Sequence, residues 1–345
     1  GYYSAVIGWV LYYTVGQIAS AVHLRLDAAA ILPPDAGFAP KSLLLQLACT
    51  GAVIFACAVV LQKGLRRGIE TASKVIIPTL FVILLVLDVR ALTLPGAGEG
   101  VRWYLLKLRF ADLNANVMVA AMGHAVFSLS LGGTFMVVYG SYLGAKESLR
   151  TSALWTVAGD TVSGLLAGLA IIPAVFALGL EPTSGPGLIF STLPGVFDAI
   201  PLGWLFGLLF FVGLFGAGYL SDVAAFEVLV AGLTDNTRLA RGRAIWLMAA
   251  VVFLVSIPPT INTGIFVPWD LTFGSGMQTL GSLLAILTLG WCVNRSAALE
   301  ELSKGSDRPV PLWLFYWIRF VIPAAILIVG AWWLLTSVFG AVRGV

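Results

Sequence analysis

Long apolar runs, each near the length of one bilayer crossing, alternate with short polar loops along this chain. A helix of about 20 apolar residues spans the hydrocarbon core. Stretches of that kind occupy residues 1–22, 42–62, 75–94, 114–143, 152–179, 201–232, 244–258, 268–293 and 312–339. They predict nine membrane helices in a single transmembrane domain over 1–345, the first only partial because Gly1-Tyr2-Tyr3-Ser4 opens in apolar sequence. Residues 181–200 are rich in Gly and Pro yet fairly apolar. They are too interrupted to span, and predict a partly helical, re-entrant-like loop over one membrane face.

One of these runs is interrupted. Phe127-Ser128-Leu129-Ser130-Leu131-Gly132-Gly133 lies between Val117–Met122 and Phe135–Tyr139, in the middle of an apolar helix. Lipid offers no hydrogen-bond partners, so a membrane helix must satisfy its backbone internally. Two serines and two adjacent glycines at bilayer depth predict a break. Backbone freed there is tolerated where it meets an ion, a substrate or other protein.

Composition narrows the class. The chain is 59% hydrophobic and 11% charged, with mean hydropathy +0.97, against about 25% charged in soluble domains. This is an all-α polytopic membrane protein. The net charge of +3 gives no reason to expect nucleic acid, because the charges sit in loops. Lys63, Arg66, Arg67 and Lys74 fall in one loop, Lys146 and Arg150 in a second, Arg238, Arg241 and Arg243 in a third, and Arg295, Lys304 and Arg308 in a fourth. The four alternate onto one side, assigned to the cytoplasm. The loop 95–113 departs from that rule, with Arg102, Lys107 and Arg109 interleaved with Trp103 and Tyr104, and predicts a short interfacial helix. Cys49, Cys57 and Cys292 lie in apolar runs without metal spacing, and His23 and His124 are far apart. Nothing points to an enzyme.

The runs Gly68–Pro78, Thr93–Ala97, Phe127–Gly132, Tyr139–Leu143, Gly168–Phe176 and Gly185–Phe190 together resemble the neurotransmitter:sodium symporter family (sodium- and chloride-dependent transporters), bacterial amino-acid transporter type. The resemblance covers essentially the whole chain. It implies an inverted-repeat symporter fold with broken helices, here missing the first two helices. It also implies residence in the cell inner (plasma) membrane, with an amino acid, one or two Na+ ions and lipid as partners, and a homodimer as an open assembly. The implied activity is sodium-coupled import of amino acids by alternating access, chloride-independent.

Site residues follow from the same resemblance. Tyr3 resembles the tyrosine that holds the substrate carboxylate. Phe127 resembles the aromatic that closes over the substrate, and Ser130 and Gly132 lie in the unwound stretch that faces it. Gly133 and Ala225 stand where bulkier residues occur, which enlarges the side-chain subsite toward a large apolar or aromatic amino acid. Ser128 resembles a hydroxyl ligand of the first sodium. Asp160, a carboxylate within an apolar run, is a functional candidate on physical grounds alone. It aligns with, or lies one residue from, a sodium ligand, and its charge replaces a bound chloride. His124 takes the place of a common glutamine, and an Asp160–His124 pair would open proton coupling. Ala217 and Ser221 occupy the second sodium site, where Leu220 departs from the usual hydroxyl or carboxylate; Ser221 also borders the substrate. Asp270, at the start of the tenth helix, aligns with an extracellular gate carboxylate. Two readings compete with sodium symport: a proton-coupled amino-acid transporter, and a transport-dead scaffold or sensor.

Overall fold

The computed structural model describes residues 1–24, 26–107, 109–132, 135–144, 146–180, 187–306 and 309–335. The α-helices in chain order are α1 (Tyr2–Ala21), α2 (Pro40–Gln62), α3 (Thr71–Leu92), α4 (Ala97–Val101), α5 (Ala115–Ser128), α6 (Phe135–Ser141), α7 (Leu149–Ala177) and α8 (Leu193–Ala199). They continue with α9 (Gly203–Asn236), α10 (Arg241–Ser256), α11 (Thr263–Trp269), α12 (Met277–Leu287), α13 (Arg295–Ser303), α14 (Leu312–Tyr316) and α15 (Ile322–Trp333). Among the described residues, seven helical stretches are long and apolar enough to cross a membrane: 40–62, 67–92, 149–177, 203–236, 241–260, 263–292 and 312–333.

Two of the nine predicted spans stand outside that set. Over 1–22 the helix forms, but with four tyrosines, Gln17 and hydroxyl residues it is not among the stretches apolar enough to cross. Over 114–143 the apolar run is divided into α5 and the seven-residue α6. The span predicted at 75–94 begins earlier, because a wide helical turn at Leu65–Glu70 feeds directly into α3. The charges there hide the helix from an apolar-run count, and Lys74 pairs one turn back with Glu70 at 2.6 Å. The short helix expected in 95–113 is present as α4 with a wide turn at Arg102–Leu106. Of the loop 181–200, residues 181–186 lie outside the described residues; the rest is helical through a wide turn at Leu188–Thr192 and α8.

The helices fall into two units, Gly1–Lys107 with Ser163–Trp269, and Leu108–Val162 with Asp270–Val345. In the first, α1 is seated against α2 and α9. At Gly8 the helix axes come close enough that a Cβ would sit 2.9 Å from the Thr50 amide nitrogen and hydroxyl. Several polar side chains around α1 and α2 are paired, which offsets the cost of burying them. Trp9 Nε1 donates to Gln46 Oε1 at 2.9 Å, and Gln46 Nε2 donates to Ser42 Oγ and the Thr260 carbonyl. Tyr13 Oη donates to the Phe190 carbonyl at 2.9 Å, tying the 188–199 segment to α1. Phe190, Leu193, Val196, Phe197 and Phe211 complete that core. In the second unit α5, α12 and α15 pack on one another.

Candidate functional site

The predicted break is present, and its geometry shows how the sequence makes it. α5 starts on Asn114, whose side-chain oxygen accepts from the Val117 amide at 3.0 Å. It ends at Ser128. There the Leu131 amide donates to the Val126 carbonyl at 3.1 Å and the Ser130 amide to the Phe127 carbonyl at 3.0 Å. Ser130 has φ +50°. This is the left-handed helix terminator normally built on glycine. α7 ends the same way on Gly179, φ +67°, with Leu180 reaching Val175 and Gly179 reaching Phe176. A serine in that conformation is strained by about 1–2 kcal/mol, and the fold holds it there in mid-span. Beyond Phe127 the carbonyls leave the α5 ladder and become available as ligands. Gly132 follows, buried, and a Cβ on it would overlap the Gln278 carbonyl and side chain. Gly133 lies outside the described residues.

Ser128 and Asp160, read separately from sequence, are brought together. Ser128 Oγ donates to Asp160 Oδ1 at 2.5 Å, between the end of α5 and α7. The pair is half-buried, and a charge-assisted O–H···O⁻ contact of this length is among the stronger hydrogen bonds. It sets a carboxylate and a hydroxyl, both hard oxygen donors, beside the unwound carbonyls. That donor set fits an alkali cation: Ser128 Oγ and the carboxylate would hold the ion and supply the balancing negative charge. His124, like Phe127, lines a cavity of about 420 Å³ with Asn116, Gln278 and Trp333. Phe127 is 50% exposed there.

Other predicted residues sit on α1 and α9 in the first unit. α9 runs unbroken from Gly203 to Asn236. Ser221 Oγ bonds back to the Ala217 carbonyl at 3.2 Å, so the two second-site candidates adjoin on one face of the helix. Tyr3 turns its phenol to this same face: it is in hydrogen-bonding relation with Ser221. Ala225 follows one turn on, half-buried. Asp222 points elsewhere. It is 3% exposed, accepts from Ser4 Oγ at 3.0 Å and lies 3.9 Å from Cys57 Sγ. It therefore does not replace the oxygen that Leu220 lacks.

Asp270 requires a correction. It does not begin its helix. The helix starts at Thr263, with Asn262 Oδ1 accepting from the Ile265 amide at 3.0 Å, and Asp270 opens a wide turn seven residues in, Asp270–Gly276. The Pro268 inside α11 removes one ladder donor, and the helix rewinds just after it. A dipole-favoured acid in the first turn is therefore not the reason for this residue.

Sequence reasoning missed Gln278, whose backbone and side chain receive Gly132, and the inward turn of Asp222. The first had no local signal. The second had one: a carboxylate in an apolar run, the same signal that singled out Asp160.

Residues 42–338 match the sodium:neurotransmitter symporter family. The chain is similar to an uncharacterized sodium-dependent transporter of Bacillus subtilis, 33% identical over 95% of this chain and 75% of that protein. It is also similar to an uncharacterized sodium-dependent transporter of Haemophilus influenzae, 29% identical over 95% of this chain and 74% of that protein. Among solved structures, that of MhsT in complex with L-phenylalanine superposes with a TM-score of 0.81, at 32% identity, over 95% of this chain and 76% of that one.

Proposed function

We propose, for a chain that belongs to the sodium:neurotransmitter symporter family, sodium-coupled symport of an amino acid with a large apolar or aromatic side chain by alternating access. The observation that carries this reading is the broken helix at Ser128–Gly132 with the Asp160 carboxylate hydrogen-bonded at its end. Sodium binds at Ser128 and Asp160 with carbonyls freed by the break. The Asp160 charge serves where chloride serves in other members, which makes transport chloride-independent. A second sodium binds at Ala217 and Ser221, more weakly for want of an oxygen at Leu220.

By the family resemblance, the Tyr3 phenol and Ser221 hydroxyl are assigned to the substrate carboxylate. Ser130 and Gly132 are assigned to its amine and side chain, and Phe127 to its cover. Gly133 and Ala225 leave room for a bulky side chain, in keeping with the L-phenylalanine bound in the MhsT structure. Asp270 acts as an outer gate carboxylate. The protein resides in the plasma membrane of its cell. Sodium-gradient-driven uptake of L-phenylalanine into liposomes tests the reading. Uptake that follows an imposed sodium gradient and ignores chloride supports it. Uptake driven by a proton gradient without sodium favours proton coupling instead, and no uptake with intact fold favours the scaffold.

A further inference from the structure

Another carboxylate in the membrane helices has no part in that site. Asp88 lies one turn from the end of α3, within the first unit. Its side chain is only 6% exposed, among buried Leu84, Leu87 and Ala91. Neither of its carboxylate oxygens has a hydrogen-bond partner. The contrast with Asp160 and Asp222, each receiving a hydroxyl, is direct. An ionised carboxylate with no partner in an apolar interior is among the most expensive arrangements a protein can hold. It is relieved by a counter-cation or by a proton.

The surroundings decide between them. Arg90, two residues on, lies on another side of the helix and places its guanidinium over the Phe206 ring, 5.4 Å from the centroid. The stretch of α7 in this unit, Ser163–Ala177, and α9 from Gly203 to Gly218 carry no ionisable side chain. From the turn after α4, Tyr104 sets its hydroxyl 3.4 Å from the Gly164 and Leu165 carbonyls. A Cβ on Gly168 would overlap that hydroxyl, so glycine makes the cradle. Burial raises the Tyr104 phenol above the usual range, and a charge on Asp88 would raise it further. Among the described residues, Tyr104 is the titratable group set against Asp88; Glu99, on the neighbouring α4, is exposed. A desolvated metal cation needs a shell of some six oxygens, and here hydrocarbon fills most of the shell. A proton needs one oxygen.

We propose that Asp88 is a proton-binding site: its carboxyl is neutral while α3 is packed, and releases the proton to water, leaving a carboxylate, only when the outer end of α3 opens. The proposal stands apart from the sodium site and does not rest on it. It makes the outer end of α3 sensitive to external pH.

The test is infrared spectroscopy of the intact transporter in lipid nanodiscs at neutral pH, for the native protein and Asp88→Asn. The expected result is a protonated-carboxyl C=O band that is indifferent to replacing sodium with N-methylglucamine, is absent from Asp88→Asn, and disappears at alkaline pH. A missing band, or one that shifts with sodium, overturns the proposal, the latter in favour of a metal cation. Thermal unfolding provides the second readout. A neutral Asp88 binds a proton in the native state that the unfolded chain gives up, so native stability falls as pH rises. Asp88→Asn, neutral and of the same shape, should match the native midpoint at acid pH, where the unfolded carboxyl is also protonated, exceed it at neutral pH, and lack that fall. A variant that fails to fold or loses stability at neutral pH overturns the proposal. Sodium-driven phenylalanine uptake in the same preparation reports on the symport reading independently.

Discussion

α5 with its break and α9 without one are both apolar, both rich in small residues, and both carry predicted ligands, yet they use glycine in opposite ways. In α9, Gly213, Gly216 and Gly218 each face a large side chain from another helix: Ile83 and Leu80, Ile76, and Ile7. The glycines are notches, filled by neighbours, and the ladder continues through them for 34 residues. After α5, Ser130 turns left-handed and Gly132 meets backbone, the Gln278 carbonyl, rather than the end of a movable side chain. Glycine at a notch adjusts packing; glycine against backbone fixes where the chain runs. Only the second releases a run of main-chain oxygens from the helix ladder.

The sharpest way to break this contrast is Gly132→Ala. Its new methyl would overlap backbone, and overpacking of that kind costs about 1–3 kcal/mol. Sodium-driven uptake should fall by an order of magnitude or more, about 1.4 kcal/mol, with a lowered unfolding midpoint. Next is Asp160→Asn, which keeps the shape and removes the charge. The sodium concentration for half-maximal uptake should rise about tenfold, the equivalent of about 1.4 kcal/mol. Ser128→Ala should shift it in the same direction by less, since Asp160 remains. A variant Asp160→Asn with native sodium dependence removes the carboxylate from the site.

Ser130→Gly sharpens the account in the other direction. It relieves the left-handed strain, worth about 1–2 kcal/mol, partly offset by the freedom glycine gains in the unfolded chain. Thermal unfolding should show a stability equal to or slightly above native, whereas Ser130→Val should be destabilised. The smallest effect belongs to α9. Gly218→Ala meets the tip of Ile7, a flexible end, and should lower stability by about 1 kcal/mol. Ile7→Val should recover much of that loss in the double variant, a coupling that a thermal-unfolding cycle measures.

Much of this was legible in the sequence, for identifiable reasons. The spans were, because about 20 apolar residues leave few alternatives. The break was, because Ser130 and Gly132 carry the chemistry of a helix end in a place where lipid forbids one. Less visible was anything set by tertiary packing. The entry of the helix at Thr263 rather than near Asp270 depends on an Asn262 cap. The early start of the 67–92 helix was masked by its charges. The Ser128–Asp160 contact joins residues 32 apart in sequence, and no local pattern announces it. Asp88 carries the same intramembrane signal as Asp160, but only the structure shows that one is paired and the other is not.

The central claim is that the broken helix and Asp160 bind sodium and thereby the amino acid. Equilibrium binding of radiolabelled L-phenylalanine to the intact transporter, titrated with sodium at constant ionic strength, tests it most directly. The account predicts binding that requires sodium and saturates with it in the native protein, with the titration moved to higher sodium in Asp160→Asn. Binding of equal strength in sodium and in N-methylglucamine would contradict it.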